Sequence, residues 1–201
     1  MNCLKQTLRF QLKQKRADFV KSQTQSQLKQ IEQDVSKNLQ SYINIVKPEF
    51  PDQNIVLAGF YPIQSEINCI EVIKNLWDKY TCALPVHFKN EELKPLYFRE
   101  FKSNTQLITG HYNIPIPSKD SPQVIPNIIL IPFLGFDKLT LQRIGFGGGH
   151  FDRTIKYYQE NQIKLKFVGI GFECQYIQDL PTEEQDKPLD CIITEKGIYL
   201  I

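Results

Sequence analysis

The stretch NIILIPFLGFDKLTLQRIGFGGGHFDR, residues 127–153, decides how the chain is read. It opens on NIILI, whose apolar side chains occupy consecutive positions from Ile128 to Ile131. A strand with one wet face alternates, whereas an unbroken apolar strand is covered on both faces. The same stretch then carries Gly145, Gly147, Gly148 and Gly149, four of the ten glycines of the chain, and leads into a helical pattern from about His150 to Glu160. A buried strand, a glycine-rich connection and a helix in that order belong to an α/β fold.

Working outward, IVLAGFY (55–61) is a second near-continuous apolar run. Ser65 is placed to cap a helix from Glu66 to about Tyr80, with Ile67, Ile70, Ile73 (or Leu76) and Trp77 on its inner stripe. Short strands are predicted over 81–85, 96–101, 165–171, 191–194 and 198–201. Pro115, Pro117, Pro122 and Pro126 mark a long connection without regular structure. Strands alternating with helices imply parallel pairing with crossovers on both sheet faces. Two helices precede all of this. Leu4, Leu8 and Leu12 share one face of the first, with Lys5, Arg9, Lys13 and Arg16 following the same period on a neighbouring face. The second runs from about Thr24 to Val46 and is stopped at Lys47-Pro48. The expected fold class is α/β, three-layered, with a mostly parallel sheet, helices on both faces and two N-terminal helices. One domain is expected over 1–201, with 1–47 a helical cover and 55–201 the sheet core.

Composition excludes several classes. At 41% hydrophobic and 23% charged residues over 201 positions, the chain is neither disordered nor collagen-like. The apolar run from Asn127 to Leu134 is far short of the roughly 20 residues a bilayer span needs. The N-terminus interleaves charge with single leucines, unlike a secretory signal, so a cytoplasmic protein is expected. A net charge of +2 is too small for a dedicated nucleic-acid binder, although nine Lys and Arg against four Asp and Glu lie in the first 49 residues. A basic arm for RNA is therefore disfavoured. Five scattered cysteines without a CxxC pair are read as free thiols rather than disulfides or a zinc site.

The glycine stretch is also where chemistry concentrates. Glycines let backbone amides approach a ligand without a Cβ in the way. A helix start behind them adds unpaired N–H groups and the positive end of the dipole. Arg143 and Arg153 flank it, and Asp152 follows as a candidate ligand for a hard cation, which together suit a polyphosphate with Mg²⁺. Neither GxxxxGK[ST] nor GxGxxG is present, so a flexible strand-to-helix turn is the competing reading. On the residues alone Lys5 and Arg9 are a solvated helix face, and Glu66 is a carboxylate favoured by the first turn of its helix. Asp190 is a turn residue beside a strand. His87 and His111 have no partners at metal-ligand spacing and read as ordinary residues.

The segment resembles the 5-formyltetrahydrofolate cyclo-ligase (5,10-methenyltetrahydrofolate synthetase) family. That family has Pro-x-x-x-Phe-Asp and then Arg-Leu-Gly-x-Gly-x-Gly-Tyr-Tyr-Asp, matched here by Pro132, Phe136, Asp137, Arg143, Gly145, Gly147, Gly149 and Asp152. Lys5 and Arg9 match an N-terminal Lys-x-x-x-Arg nucleotide contact, and Tyr61 and Glu66 match the Tyr-x-x-x-x-Glu that touches the folate. NIPIP (113–117), then Phe172, Gln175 and Pro181, and finally Asp186, Asp190 and Thr194-Glu195 follow in the family's order. Two departures stand out. The paired tyrosines are His150 and Phe151 here, and a histidine often found before Asp186 is Gln185. His150 either supplies the missing hydrogen bond or proton or is a plain helix-start residue.

The resemblance implies ATP-dependent closure of 5-formyltetrahydrofolate to 5,10-methenyltetrahydrofolate, with Mg²⁺ as cofactor and ATP as co-substrate. It implies nucleotide contacts from Lys5, Arg9, Arg143, Gly145, Phe146, Gly147, Gly148, Gly149, His150 and Phe151, with Arg143 and His150 as catalytic candidates. Tyr61 and Glu66 would hold the folate, and Asp152 and Asp190 the metal. Its partners are small molecules rather than nucleic acid or membrane, and a monomer is expected. A non-catalytic relative that keeps the fold and binds nucleotide or folate is the alternative.

Overall fold

The structure, a computed structural model, describes residues 2–51, 54–89, 93–183 and 186–201. Gln185 lies outside the described residues, as does the side chain of Cys3. Four α-helices are described: α1 (Asn2–Ser22), α2 (Gln25–Val46), α3 (Cys69–Lys74) and α4 (His150–Glu160). The strands are β1 (Val56–Ala58), β2 (Thr81–Val86), β3 (Tyr97–Glu100), β4 (Leu107–Thr109), β5 (Pro115–Pro117), β6 (Gln123–Val124), β7 (Ile128–Ile131), β8 (Gly135–Phe136), β9 (Arg143–Ile144), β10 (Lys166–Ile170), β11 (Cys191–Thr194) and β12 (Gly197–Tyr199).

Among the described residues eight strands form one sheet in the order β12-β11-β10-β7-β1-β2-β3-β6. The five from β11 to β2 are parallel, and β12, β3 and β6 join antiparallel at the edges. The reading of NIILI is borne out: Ile128 to Ile131 are all fully buried at the centre. Their alternation builds both halves of the core. Ile128 and Leu130 pack with Leu39, Ile43, Val72 and Ile73 of α2 and α3. Ile129 and Ile131 pack with Ile155 and Tyr158 of α4 on the other face. The fold is the expected three-layer α/β arrangement, because burying each such side chain favours folding by about 1.5–3 kcal/mol and both faces must be covered.

Helix α2 starts where Thr24 and Gln27 form a reciprocal cap: Gln27 N–H donates to Thr24 Oγ1 (3.2 Å) and Thr24 N–H to Gln27 Oε1 (2.8 Å). Its face of Val35, Leu39, Tyr42, Ile43 and Val46 is buried. The helix expected over 66–80 is shorter. Ser65 does not cap it; Asn68 does, accepting from Glu71 N–H (3.4 Å), and the α-helix ends at Lys74. The reason is local. Glu66 turns back to accept from Ile63 N–H (2.9 Å), which holds 63–67 in a loop. The proline-rich connection is also more ordered than expected. β4 and β5 pair as an antiparallel ribbon, and β6 adds to the sheet edge. Prolines are tolerated there because such edges leave N–H groups unused. Within the glycine stretch itself β8 and β9 form a short ladder. Cys69, Cys82, Cys174 and Cys191 are free thiols, and no helix among the described residues is long and apolar enough to cross a membrane.

Candidate active site

Parallel strands bring their C-terminal ends to one sheet edge, where open α/β sheets bind ligands. β1 leads there to Phe60 and Tyr61, β2 to His87 and β7 to Pro132. These residues, with Glu66, Phe146 and the turn Gly147–Gly149, line a cavity of about 380 Å³. A smaller hollow of about 50 Å³ adjoins it, lined by Lys5, Arg9, Pro181 and Asp186. Arg143, Gly145, Gly147 and Asp152 face both spaces.

The glycine turn is built as the sequence suggests. Gly147 has φ +99°, and a Cβ there would come 3.3 Å from the guanidinium carbon of Arg9. Gly149, at φ +69°, precedes α4 without a side-chain cap, so the N–H groups of the first turn are left for a ligand. Arg9 Nε donates to the Gly145 carbonyl (3.0 Å), and Arg153 Nη2 to the Gly148 carbonyl (3.0 Å). Two carbonyls that would repel an anion are thereby occupied by arginines. Arg143 donates to Asp152 Oδ1 (2.5 Å) and to the Lys187 carbonyl (3.3 Å). Lys5 sits across the hollow, bonded to Asp186 (2.8 Å) and 3.2 Å from Glu183. Burial opposes its charge, but those two carboxylates outweigh it and raise its pKa. Lys5, Arg9 and Arg143 thus meet at the turn, as expected.

The other wall is apolar and dry. Glu66, its side chain 2% exposed, points Oε2 at Ile63 N–H and leaves Oε1 without a hydrogen-bond partner. Burial raises its pKa to about 7, against the pull of the Ile63 N–H and the Arg16 guanidinium. Tyr61 stands on the same wall. A buried carboxylate in the wall of an aromatic slot suits a flat heterocycle carrying N–H donors.

The structure gathers residues the sequence left apart. His87 and His111 are not ordinary positions: with His150 they form a ring cluster over the cavity, at centroid distances of 5.1 Å (His87–His111) and 4.4 Å (His87–His150). Tyr112, at φ +54°, stacks on His111 from the ribbon between β4 and β5. Arg153 Nη2 donates to His150 Nδ1 (3.0 Å), so the proton of the neutral ring sits on Nε2. Arg16, on the same basic period as Lys5 and Arg9, is 1% exposed. Gln175 is a brace rather than a contact: its Nε2 donates to the carbonyls of Phe133 (2.6 Å) and Leu134 (3.3 Å), fixing the base of the glycine stretch.

Asp190 requires a correction. It precedes β11, at the N-terminal edge of the sheet, where its carboxylate accepts from Phe167 N–H (2.7 Å). The cavity lies beyond the opposite ends of the strands, so Asp190 cannot share a metal with Asp152. Among the described residues no group of three His, Cys, Asp or Glu side chains forms a metal cage. Of the two expected metal ligands only Asp152 borders the hollow, its side chain 58% exposed; Asp186, also on the hollow, is paired with Lys5. One carboxylate still fits Mg²⁺, which is commonly held by one or two carboxylates, substrate phosphates and water.

The profile of the 5-formyltetrahydrofolate cyclo-ligase family matches residues 2–195. The chain belongs to that family. The cyclo-ligase of Escherichia coli K12 is 29% identical over 153 residues, covering 71% of this chain and 79% of its own. That of Haemophilus influenzae is 29% identical over 190 residues, covering 92% and 94%. The solution structure of Aquifex aeolicus 5,10-methenyltetrahydrofolate synthetase superposes with a TM-score of 0.77 at 25% identity, covering 98% of this chain and 92% of that one. The chain is accordingly an α/β enzyme of the cyclo-ligase type.

Proposed function

We propose that this cyclo-ligase closes 5-formyltetrahydrofolate to 5,10-methenyltetrahydrofolate and converts ATP to ADP and phosphate. The observation that carries the reading is the shared wall. One cavity is lined by both Glu66 and the glycine turn, and the basic hollow of Lys5, Arg9 and Arg143 opens onto the same turn. A triphosphate in the hollow and a folate in the slot would meet at Gly147–Gly149.

The chemistry needs such a meeting. A formamide carbon is a poor electrophile, and its oxygen leaves badly. Transfer of the γ-phosphoryl group to that oxygen makes it a leaving group. The neighbouring folate nitrogen then attacks the carbon and gives up its proton to the leaving phosphate or to water, the C–O bond breaks and phosphate departs. No side-chain nucleophile is required. The protein's work is placement and charge stabilisation. Turn amides and the three cations hold the triphosphate, Glu66 accepts from the pterin N–H groups, and Tyr61 borders the ring. Asp152 would hold Mg²⁺, which supplies charge neutralisation of the phosphates when bound. His150 presents an Nε2–H donor where the resemblance expects a tyrosine hydroxyl. The reading carries small-molecule substrates and a cytoplasmic monomer with it.

Purified protein with Mg-ATP and 5-formyltetrahydrofolate tests it. The near-ultraviolet absorbance of the methenyl product should grow in proportion to ADP. Binding of both ligands without product would instead identify a non-catalytic relative, with the replaced tyrosine hydroxyls as its cause.

A further inference from the structure

Arg16 lies between the two halves of the site and lines neither cavity. Its guanidinium is locked on several sides. Nε donates to Ser65 Oγ (3.2 Å) and Nη1 to the Phe133 carbonyl (3.4 Å), while Nη1 stands 3.9 Å from Glu66 Oε1. The ring of Phe146, from the glycine turn, covers it at 5.3 Å. Two atoms of this pair have no hydrogen-bond partner and no water-exposed surface: Arg16 Nη2 and Glu66 Oε1. A fold does not gain stability by leaving a donor and an acceptor unmatched on adjoining buried charges. The arrangement makes sense as preparation for a ligand that reaches Glu66.

We propose that Arg16 is a positioning residue for the folate, acting through Glu66 by keeping that carboxylate ionised and fixed at the cavity wall. The inference rests on the folate reading above. A carboxylate accepts a pair of N–H donors with both oxygens, whereas a protonated carboxyl presents a donor of its own and loses one of the two bonds. Of the charges around Glu66, Arg16 is the one packed against it. The thiol of Cys69 on α3 is neutral, driven up by burial, and Cys174 beside Arg16 is neutral too, its pKa raised to about 11. His87, His111, His150, Arg143 and Asp152 line the same cavity farther round. Without Arg16, burial would act on Glu66 with only the Ile63 N–H opposing it.

The test measures kcat/KM for 5-formyltetrahydrofolate against pH, at saturating Mg-ATP, for the full chain and its Arg16→Met, Arg16→Lys, Glu66→Gln and Arg16→Met/Glu66→Gln variants. The wild type should show an acid limb near the Glu66 pKa of about 7. Arg16→Met should move that limb up by about one unit and lower kcat/KM at pH 7 about fivefold and at pH 6 about tenfold, with KM for ATP nearly unchanged. Arg16→Lys should keep the limb in place, and Glu66→Gln should abolish it. On the Glu66→Gln background Arg16→Met should change little, because its effect passes through the carboxylate. An unmoved limb in folded Arg16→Met, or additive losses in the double variant, would overturn the assignment. If Arg16→Met does not fold, a limb that persists in Glu66→Gln overturns it as well. Absence of product from the wild type at every pH would instead overturn the ligase reading on which the assignment stands.

Discussion

The two walls of the cavity hold charge in opposite ways. On the nucleotide wall every named cation already has an anion or carbonyl: Lys5 has Asp186 and Glu183, Arg143 has Asp152, and Arg9 has the Gly145 carbonyl. These contacts line the open hollow, where a phosphate oxygen can take the place of each carboxylate or carbonyl without leaving the cation unpaired. On the folate wall Arg16 and Glu66 are sealed from water, and each keeps an atom unmatched. That wall does not exchange partners; it waits with its geometry set. On the proposed reading, dry, fixed polarity would recognise one neutral heterocycle, while exchangeable charge would serve a ligand that must arrive as ATP and leave as ADP.

Three changes would break or sharpen this contrast. The largest effect is expected from Gly147→Val. A β-branched residue at φ +99° is strained by about 1–3 kcal/mol. Its Cβ also starts 3.3 Å from the Arg9 guanidinium carbon, so the cation is displaced as well. Turnover should fall more than about 100-fold, measured as product formed per enzyme, while folate binding in the absence of ATP stays near normal. Equal losses on both ligands would mean that the walls are not separable. Asp152→Asn should come next, with kcat reduced on the order of 10- to 100-fold and a higher Mg²⁺ requirement. Asp190→Asn should leave the Mg²⁺ requirement as it is. A change in that requirement would return Asp190 to the site.

The smallest effect concerns stability. The folded Glu66 pKa of about 7 stands above its ordinary 4.5, so the folded state binds the extra proton between those values. Stability from this group is complete below pH 4.5 and is lost as pH rises through about 7. Ligand-free wild type should therefore lose on the order of 1–3 kcal/mol between pH 5 and 8 from this group. Glu66→Gln should flatten that slope in thermal unfolding scans. An unchanged slope would place the carboxylate's titration elsewhere.

Much of this was legible from the order of residues. Consecutive apolar side chains in NIILI announced a strand covered twice, and glycines before a helix announced the uncapped turn ahead of α4. The matched motifs placed Lys5 and Arg9 beside a turn more than 130 positions away, where Arg9 now bonds Gly145. What escaped has physical causes. The leucine period 4, 8, 12 continues at 16, so Arg16 shares the apolar stripe; a cation on that stripe was the available sign of a buried partner. Ser65 looked like a cap because local chemistry permits it, but the Ile63–Glu66 bond and the ligand slot took precedence. Asp190 matched by order along the chain, which does not tell one end of a strand from the other. The histidine cluster had no sequence signal at all, since 87, 111 and 150 meet only when separate crossovers end at one edge.

Gln175 gives the site a mechanical character. Because its amide grips the carbonyls of Phe133 and Leu134, and β8 is laddered to β9, the stem of the glycine stretch is clamped, while its tip is held by arginine side chains, Arg9 on Gly145 and Arg153 on Gly148. A phosphate that drew Arg9 and Arg153 away would release a few residues around Gly147 and leave the stem in place, a short latch on a rigid post.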